Sequence, residues 1–329
     1  MSNFIQIKIT PADVQKRLDK FLADFDWKSF YPKAENLSRG DFIRAIKNKF
    51  ILVNKYPTKP SYRVSDGDIL TIKSEIFSLT KQQTVANSKV NFETVFENEN
   101  LIVVNKPAGL QVHPDYNEKR FTLVNGLLAK YPEISTVQDD KSSLAHLRPG
   151  IVHRLDKDTS GLIVVAHNQK TFRELKKAFQ EKTIRKKYLA IVYGIPKEKR
   201  GIIDKPLAKT SNYRRQTVAG KKTKTKIREA QTEYNFLKKL PGNLALLEVF
   251  PKTGRTHQIR VHLFSIGHPI VGDKLYKNKQ IQLFPNLNRH LLHAQKIEFK
   301  LFGKKYSFSI NPPSDFEKFL TTSLPTKNK

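Results

Sequence analysis

Five charged or titratable residues stand immediately before an apolar run in the segment GIVHRLDKDTSGLIVVAHN, residues 150–168. They are His153, Arg154, Asp156, Lys157 and Asp158. The run that follows, residues 162–166, is typical of a buried strand. A carboxylate beside a core strand loses hydration, so it is either paired with a cation or used in chemistry. An ionised Asp in such a place can act as a nucleophile or as a general base.

The sequence carries no sign of cofactor or metal chemistry. It has no cysteine, which removes disulfides, thiolate catalysis and cysteine metal sites together. It has no GxGxxG after a strand, no GxxxxGK[ST] and no HExxH. His257 and His262 are five residues apart on a predicted helix, which is a poor spacing for two ligands of one metal. We therefore expect neither a cofactor nor a metal ion.

The charge balance predicts a polyanionic partner. The 329 residues include 60 Lys and Arg against 30 Asp and Glu, a formal net charge of +30. Solubility needs a net charge of only about 2–8 for a small domain. Nucleic acid is the leading candidate, and an anionic membrane is the alternative. No basic amphipathic helix dominates and no apolar run approaches the length of about 18 residues that spans a bilayer, so we expect RNA and no membrane.

The N-terminal stretch MSNFIQIKITPADV does not resemble a secretory signal, because it lacks a basic start followed by an apolar core. The absence of cysteine suits a reducing compartment. We expect a cytoplasmic protein that acts as a monomer.

Residues 1–75 are predicted to form a small αβ domain. Apolar residues at helical spacing indicate a helix over 10–25. A second helix is predicted to begin near Ser38, and strand patterns follow at 50–54 and 68–74. The second helix carries Lys and Arg on its outer faces, which we assign to RNA binding. They are Arg39, Arg44 and Lys47. Ordinary solvation of a helix face explains such charges equally well when the domain is considered alone.

The chain after this domain is predicted to be α+β with a mixed or antiparallel sheet. Residues 76–91 are mostly polar and are assigned to a linker. Residues 92–320 then show many strand patterns, such as that at 187–194, and few helices. One of those helices is predicted over 253–269, closed by Gly267. The last residues, 321–329, are polar and are expected to be a frayed tail.

A second basic segment lies within this larger domain, at residues 204–230. It is rich in Lys and Arg, and six of them are candidate contacts to RNA phosphates. These are Arg214, Arg215, Lys221, Lys222, Lys224 and Lys226. Cations among turn-forming residues with few apolar anchors indicate a loop that contacts phosphates. A disordered basic insertion is the alternative.

Four motifs in order resemble those of the RluA-type family of RNA pseudouridine synthases. HRLDKDTSGL (153–162) is similar to the signature of the family, and NKPAGLQVHP (105–114) to its first core strand and turn. RKKYLAIVYG (185–194) and GRTHQIRVHLFSIGHPIVGDKLY (254–276) resemble two further motifs. Residues 10–75 resemble the small RNA-binding domain that many members carry in front. The resemblance therefore spans nearly the whole chain.

The resemblance implies a role for each matching residue. Asp156 would be the catalytic carboxylate, Arg260 its ion-pair partner, and Tyr188 the ring against the target uracil. Arg154 would fill the gap left when that uracil flips out of its stack, and His153 would shape the same loop. Without the family pattern, an Asp–Arg pair could simply hold two segments together, and strand tyrosines usually belong to a core.

Three further residues complete the expectations. Lys106 and Arg255 are expected on the wall of the site. A second Arg-Leu-Asp tripeptide ends at Asp19, on a predicted helix with no Thr-Ser-Gly turn after it. We expect Asp19 to be a solvated helix charge.

The implied reaction breaks the bond between uracil N1 and the ribose, turns the base, and joins C5 to the same sugar carbon. No oxidation, reduction or phosphate transfer occurs, which agrees with the absence of cofactor motifs. Large-subunit ribosomal RNA is the first expected substrate, and transfer RNA is the alternative. The alternative outside the enzymes is a non-catalytic RNA-binding protein on the same scaffold. A metal-dependent nuclease is disfavoured, because no suitable cluster of ligands is present.

Overall fold

The computed structural model describes residues 4–31, 37, 39–78, 84–115, 118–139, 145–210, 215–278, 284 and 287–321. Ser38, Arg214 and residues 322–329 of the predicted tail lie outside the described residues. The chain divides into two units, Met1–Gln83 with Asp139–His146, and Thr84–Gln138 with Leu147–Lys329. No helix in the described ranges has the length and apolar character needed to cross a membrane.

The first unit joins four helices to a four-stranded antiparallel sheet around one apolar core. The strands are β1 (Phe4–Lys8), β2 (Ile51–Val53), β3 (Tyr56–Pro57) and β4 (Ile69–Lys73), in the order β1-β4-β2-β3. The helices are α1 (Leu18–Asp24), α2 (Trp27–Phe30), α3 (Arg39–Lys47) and α4 (Glu75–Ser78). The core includes Phe42 and Ile46 of α3, as their spacing predicts. It also includes Ile76 and Phe77, which the sequence analysis assigned to the linker.

The helix predicted over 10–25 is wrong in its first half. A short 3-10 helix, Pro11–Asp13, comes first, and Gln15 then has a φ of +66°. The N–H of Gln15 donates to the carbonyl of Val64 (2.8 Å), so tertiary pairing claims the backbone where a helix would continue. Helix α1 begins only at Leu18, which is nevertheless buried in the core as its spacing predicts.

Asp19 is also different from expectation, because it is a buried ion-pair centre and not a solvated charge. Its side chain is 1% exposed and accepts hydrogen bonds from Arg17 (3.0 Å) and Arg39 (2.8 Å). Two cations offset the cost of burying one carboxylate. Arg39, a predicted RNA contact, therefore also has a structural partner, and Arg44 of the same helix pairs with Asp41.

The second unit is built on a nine-stranded mixed sheet in the order β5-β6-β7-β14-β8-β13-β12-β9, with β15 paired to β14. Its strands are β5 (Glu93–Glu97), β6 (Leu101–Lys106), β7 (Ser160–Ala166), β8 (Arg185–Tyr193), β9 (Arg200–Asp204), β12 (Gln231–Leu240), β13 (Leu244–Pro251), β14 (Leu292–Leu301) and β15 (Lys304–Ser309). Its helices are α5 (Leu123–Lys130), α6 (Gln169–Gln180), α7 (Gln258–Ser265) and α8 (Ser314–Thr321). The pair β7–β14 is parallel and the other pairs are antiparallel, which confirms the predicted α+β class.

The close approach of β14 to β7 explains a glycine in the opening segment. Gly161 has a φ of +121°, and a Cβ there would lie 2.4 Å from the carbonyl oxygen of Ala294. Only a residue without a side chain permits that contact. The loop that carries Asp156 therefore enters a strand whose position is fixed by direct backbone packing.

The helix predicted over 253–269 is shorter at its N-terminal end. Helix α7 starts at Gln258, because His257 adopts a left-handed conformation with a φ of +56°. Residues 253–256 form a loop instead. The predicted end is confirmed, since Gly267 has a φ of +86° just after the helix.

The basic segment at 204–230 is more ordered than a simple loop. It contains a hairpin of β10 (Leu207–Lys209) and β11 (Gln216–Val218), which pair antiparallel. Leu207 is buried beside Ala230 and Tyr276, and this apolar contact fixes the base of the hairpin. The lysines that follow β11 are all exposed. They are Lys221, Lys222, Lys224 and Lys226.

Candidate active site

Asp156 lies in a cavity of about 610 Å³ in the second unit. The walls come from the loop before β7, the C-terminal end of α6, strand β8, and the loop between β13 and α7. Among the described residues, Asp156 is the one carboxylate on these walls, whereas eight cationic side chains line them. They are Arg148, Arg154, Lys176, Lys182, Lys186, Lys252, Arg255 and Arg260. The cavity therefore offers a polyanion many cations around one carboxylate.

Arg260 joins Asp156 to a second carboxylate. Its Nη1 donates to Oδ2 of Asp156 at 3.0 Å. Its Nε and Nη2 donate to the two carboxylate oxygens of Asp273, at 2.7 and 3.0 Å. Asp273 is fully buried, so the bidentate pair fixes the plane of the guanidinium. The predicted partner of Asp156 is thus in contact with it, 104 residues away in sequence.

The charge state of Asp156 follows from this arrangement. Burial raises the pKa of Asp156, but attraction to His257, Arg260 and His290 outweighs burial and holds the pKa below 3.8. Burial also lowers the pKa of both histidines, that of His290 to about 3, so both are neutral at pH 7. At neutral pH the charge that attracts Asp156 is therefore that of Arg260. Arg260 stays protonated, because its own pKa is raised above the ordinary arginine value. Asp156 is an ionised carboxylate in a largely buried site.

Tyr188 lines the same cavity from the middle of β8. The ring is 8% exposed, and its strand is paired on both sides with β13 and β14. Burial and the charge of Asp156 raise the pKa of Tyr188 above its ordinary value of 10, so the hydroxyl keeps its proton. No hydrogen-bond partner of that hydroxyl is found among the residues described. It is free to face a ligand.

Arg154 and His153 are neighbours in sequence but face different surroundings. Arg154 is exposed, and its Nη1 lies 3.4 Å from Nε2 of His113. His153 accepts a hydrogen bond from the N–H of Val164 (2.9 Å) and stacks on Phe179 at 4.8 Å. Burial lowers the pKa of His153 to about 3. The structure thus shows His153 bracing the loop, whereas Arg154 points from it.

Lys106 is not a wall residue, which corrects the expectation from the sequence. It is 0% exposed, and it lines neither the cavity of Asp156 nor a second cavity that adjoins it. Its ammonium donates to the carbonyls of Pro107 (2.7 Å), Leu110 (2.8 Å) and Lys157 (2.9 Å). Burial lowers its pKa to about 7. Lys106 therefore holds the loop of Asp156 from behind, while Arg255, the other expected wall residue, does line the cavity.

Two residues of the site were not singled out from the sequence. Asp273 and Tyr276 fall inside the quoted motif 254–276, yet only the arginine of that motif was singled out. The Tyr276 ring lies 5.2 Å from the Arg260 guanidinium, and its hydroxyl accepts from the N–H of Gln216 (3.0 Å). The same hydroxyl lies 2.9 Å from Nδ1 of His257. The available signal for Asp273 was its position. It is the one acidic residue of that motif, and it follows the predicted helix that carries Arg260.

His262 has a structural environment. Its ring lies fully buried, 2.8 Å from the hydroxyl of Thr232 and 2.9 Å from the carbonyl of Lys205. Both ring nitrogens of His262 are therefore engaged, whereas His257 lines the cavity of Asp156.

Comparison with known proteins identifies the family of this chain. The family model described as RNA pseudouridylate synthase matches residues 100–265. A protein of Nitrosomonas europaea named ribosomal large subunit pseudouridine synthase D is 39% identical, covering 90% of this chain and 80% of its own. One of Buchnera aphidicola named ribosomal large subunit pseudouridine synthase C is 32% identical, covering 94% of both chains. The solved structure of human RNA pseudouridylate synthase domain containing 1 has a TM-score of 0.54 and 25% identity, covering 68% of this chain and 84% of that one.

The matched region contains both Asp156 and Arg260, and the curated relatives align over nearly the full chain. The resemblance drawn from four motifs is confirmed by these matches. The chain belongs to the RNA pseudouridine synthase family.

Proposed function

We propose that this RNA pseudouridine synthase acts on uridines of large-subunit ribosomal RNA, with Asp156 as the catalytic carboxylate. One observation carries the assignment of Asp156. It is ionised at neutral pH in a cavity whose described lining contains eight cationic side chains and no other carboxylate. An ionised carboxylate in a cationic cavity fits a reaction on a polyanionic substrate that needs a nucleophile or a base.

The reaction can start from Asp156 in two ways. As a nucleophile, the carboxylate attacks the anomeric carbon of the ribose as the bond to N1 breaks. As a base, it removes a proton from the neighbouring ribose carbon and later returns it. On either route C5 of the turned base forms the new bond to the anomeric carbon, and the proton lost from C5 is balanced by one gained at N1. Asp156 is regenerated, so no cofactor is consumed.

The surrounding residues have distinct tasks in this proposal. Arg260, itself fixed by Asp273, keeps Asp156 charged and oriented. Tyr188 presents its ring and a protonated hydroxyl to the flipped uracil. Arg154 is exposed beside the cavity and takes the place of the extruded base in the RNA stack. His153 and Lys106 hold the loop on which Asp156 and Arg154 lie.

RNA binding outside the cavity is assigned to two exposed basic regions. The first is the outer face of α3 in the first unit, which we propose to be an RNA-binding domain. The second is the segment after the β10–β11 hairpin, where Lys221, Lys222, Lys224 and Lys226 are exposed. Exposed lysines without a fixed partner suit the phosphate backbone and carry no sequence information themselves.

The choice of large-subunit ribosomal RNA is supported by the names of two curated relatives, which align over 90% and 94% of this chain. The test is carbodiimide mapping of pseudouridine in ribosomal and transfer RNA from cells with and without the gene. We expect signals in large-subunit RNA that disappear in the deletion, return with the wild-type gene, and stay absent with Asp156→Asn. Signals lost from transfer RNA alone would identify transfer RNA as the substrate. Unchanged RNA in both classes would contradict the proposal.

A further inference from the structure

A second cavity adjoins the cavity that contains Asp156. The second cavity lies beside the first and shares with it seven residues, among them Asp156 and Arg260. The others are His113, Arg148, Arg154, Leu155 and His257. Asp156 and Arg260 belong to the ion-paired network already described. Two other cations line both cavities and lie outside that network, namely Arg148 and Arg154.

Arg148 is a cation for which the described part of the chain supplies no ion-pair partner. Its Nε is buried and has no hydrogen-bond partner among the described residues. It also forms no ion pair with any carboxylate in the described part of the chain. Burial and the nearby charge of Arg154 lower the pKa of Arg148 below 12.5, so its surroundings disfavour the charge that it carries. A partly buried guanidinium of this kind is normally paired.

His113 shows how the neighbouring arginine is held. Nδ1 of His113 lies 3.1 Å from the carbonyl oxygen of Pro114, which can only accept, so the ring proton is on Nδ1. Nε2 then has a free lone pair, which accepts from Nη1 of Arg154 at 3.4 Å. Burial and the charge of Arg148 lower the pKa of His113 to about 4, so the ring is neutral at pH 7. His113 thus orients Arg154 without neutralising it.

We propose that Arg148, with Arg154 oriented by His113, forms a binding site for a phosphodiester group that flanks the target uridine. Arg148 and Arg154 belong, like Asp156, to the residues that line both cavities. A phosphate bound there would therefore belong to the nucleotide whose base enters the cavity. The proposal rests on the proposed function, because it takes RNA as the ligand. The second cavity is of mixed charge, because Lys157, Lys274 and Arg289 line it together with Asp115 and Asp158, and none of these carboxylates forms an ion pair with Arg148 among the described residues. The phosphodiester supplies the counter-charge that Arg148 lacks, and guanidinium forks match its oxygens.

The chemistry of recognition would also suit inorganic phosphate. RNA is favoured over the free ion because the cations continue along the first cavity, where Lys176, Lys182 and Lys186 line the wall. A site for a single small anion would need only one closed pocket, and the row of lysines along the first cavity would have no role in it.

The experiment compares Arg148→Gln with Arg148→Lys and with Arg200→Gln as a matched control. Arg200 is exposed on the edge strand β9 and lines neither cavity. Binding is measured by filter retention of an unmodified large-subunit RNA transcript across a salt series. Thermal unfolding of each protein without RNA is recorded in parallel. Pseudouridine formation under single-turnover conditions with excess enzyme gives the rate at saturation.

We expect Arg148→Gln to weaken binding about tenfold at low salt and to reduce the slope of log K against log salt by roughly 0.7–0.9, the value of one phosphate contact. The melting temperature should stay equal or rise, because an unpaired buried charge has been removed. Arg148→Lys should keep the slope while losing part of the affinity, since a lysine keeps the charge but not the fork. Arg200→Gln should change none of these.

Two results would overturn the inference. One is an unchanged affinity and salt slope in Arg148→Gln, and the other is weaker binding that merely follows a lower melting temperature. In a further arm, inorganic phosphate competes with RNA against chloride at equal ionic strength. Millimolar competition that Arg148→Gln abolishes, with the RNA slope unchanged, would assign the site to a free anion. If the wild type binds the transcript but forms no pseudouridine, the proposed target fails while the binding comparison still decides the role of Arg148.

Discussion

Asp273 holds Arg260 by two hydrogen bonds, at 2.7 and 3.0 Å, and leaves one guanidinium nitrogen to Asp156. Oδ1 of Asp273 also accepts from the N–H groups of Leu275 and Tyr276, at 2.8 and 3.0 Å. The orientation of Arg260 is therefore fixed by the turn after α7 and does not depend on Asp156. When substrate displaces or reacts with Asp156, Arg260 keeps its position, because its two hydrogen bonds to Asp273 remain. This is the preorganised form of electrostatic stabilisation.

Asp156→Asn should fold and bind RNA but form no detectable pseudouridine. The amide keeps the shape of the side chain, yet it is neither a nucleophile nor a base, so both routes are closed. The measurement is single-turnover conversion with excess enzyme, beside filter binding of the same transcript. Asp24→Asn serves as the control, because Asp24 is exposed at the end of α1. Substantial turnover by Asp156→Asn would show that another group does the chemistry.

Asp273→Asn should lower the rate at saturating RNA by roughly 10–100-fold, because Arg260 loses the partner that orients it toward Asp156, as a metal ligand does when its hydrogen-bond partner is removed. RNA affinity should change little, because Asp273 is fully buried and lines neither cavity. The free energy of unfolding should fall by about 3 kcal/mol, since a buried cation loses its charged partner. Urea unfolding and single-turnover rates measure the two effects. An equal loss of RNA affinity would reassign Asp273 to binding.

Local sequence patterns predicted the secondary structure around the site better than the contacts within it. The buried strand at 162–166 follows from its local composition and is confirmed. The role of Asp156 came from the resemblance of four motifs and stays a proposal. Asp273 was not singled out, because it contacts Arg260 only once the helix and the turn between them have folded. The first half of the helix predicted over 10–25 failed for a similar reason, since Val64 claims the N–H of Gln15. Local spacing reports which face is apolar, whereas distant backbone partners decide where a helix starts.

Gly161→Ala should destabilise the protein severely, because two costs coincide. The φ of +121° is unfavourable for any residue with a side chain, and the new Cβ would lie 2.4 Å from Ala294. Strain and overpacking each cost about 1–3 kcal/mol, so a loss of roughly 2–6 kcal/mol is expected by denaturant unfolding. Gly220→Ala is the matched control, since no atom lies within 4 Å of its Cβ position. The control should stay within about 0.5 kcal/mol. Equal stabilities of the two variants would contradict the packing argument.

RNA affinity should depend on pH through Lys186. This lysine lines the cavity, and burial lowers its pKa to about 8. A bound phosphate favours the charged form, so binding is strongest below pH 8 and weakens as the pH rises above it. The measurement is the dissociation constant of the RNA transcript from pH 6.5 to 9.5 at constant ionic strength. Lys186→Met should bind more weakly at pH 7 and lose the change near pH 8. A wild type that shows no change there would exclude Lys186 from phosphate contact.

Neutralising the four lysines after β11 should weaken binding to all RNA sequences alike. The variant changes Lys221, Lys222, Lys224 and Lys226 to Gln, all of them exposed. Each phosphate contact adds roughly 0.7–0.9 to the slope of log K against log salt, so the slope should fall by up to about 3. The rate at saturating RNA should hardly change, because these lysines do not line the cavity of Asp156.

The control for this variant removes the same charge elsewhere in the second unit. It changes four other lysines to Gln, namely Lys300, Lys304, Lys305 and Lys318. If net charge alone drives association, both variants flatten the slope equally, because long-range attraction depends on total charge. If the segment after β11 contacts the backbone, its variant loses more affinity and more slope than the control. An unchanged slope in the first variant would show that its lysines are solvated and carry no RNA contact. The salt titration of both variants beside the wild type distinguishes these outcomes.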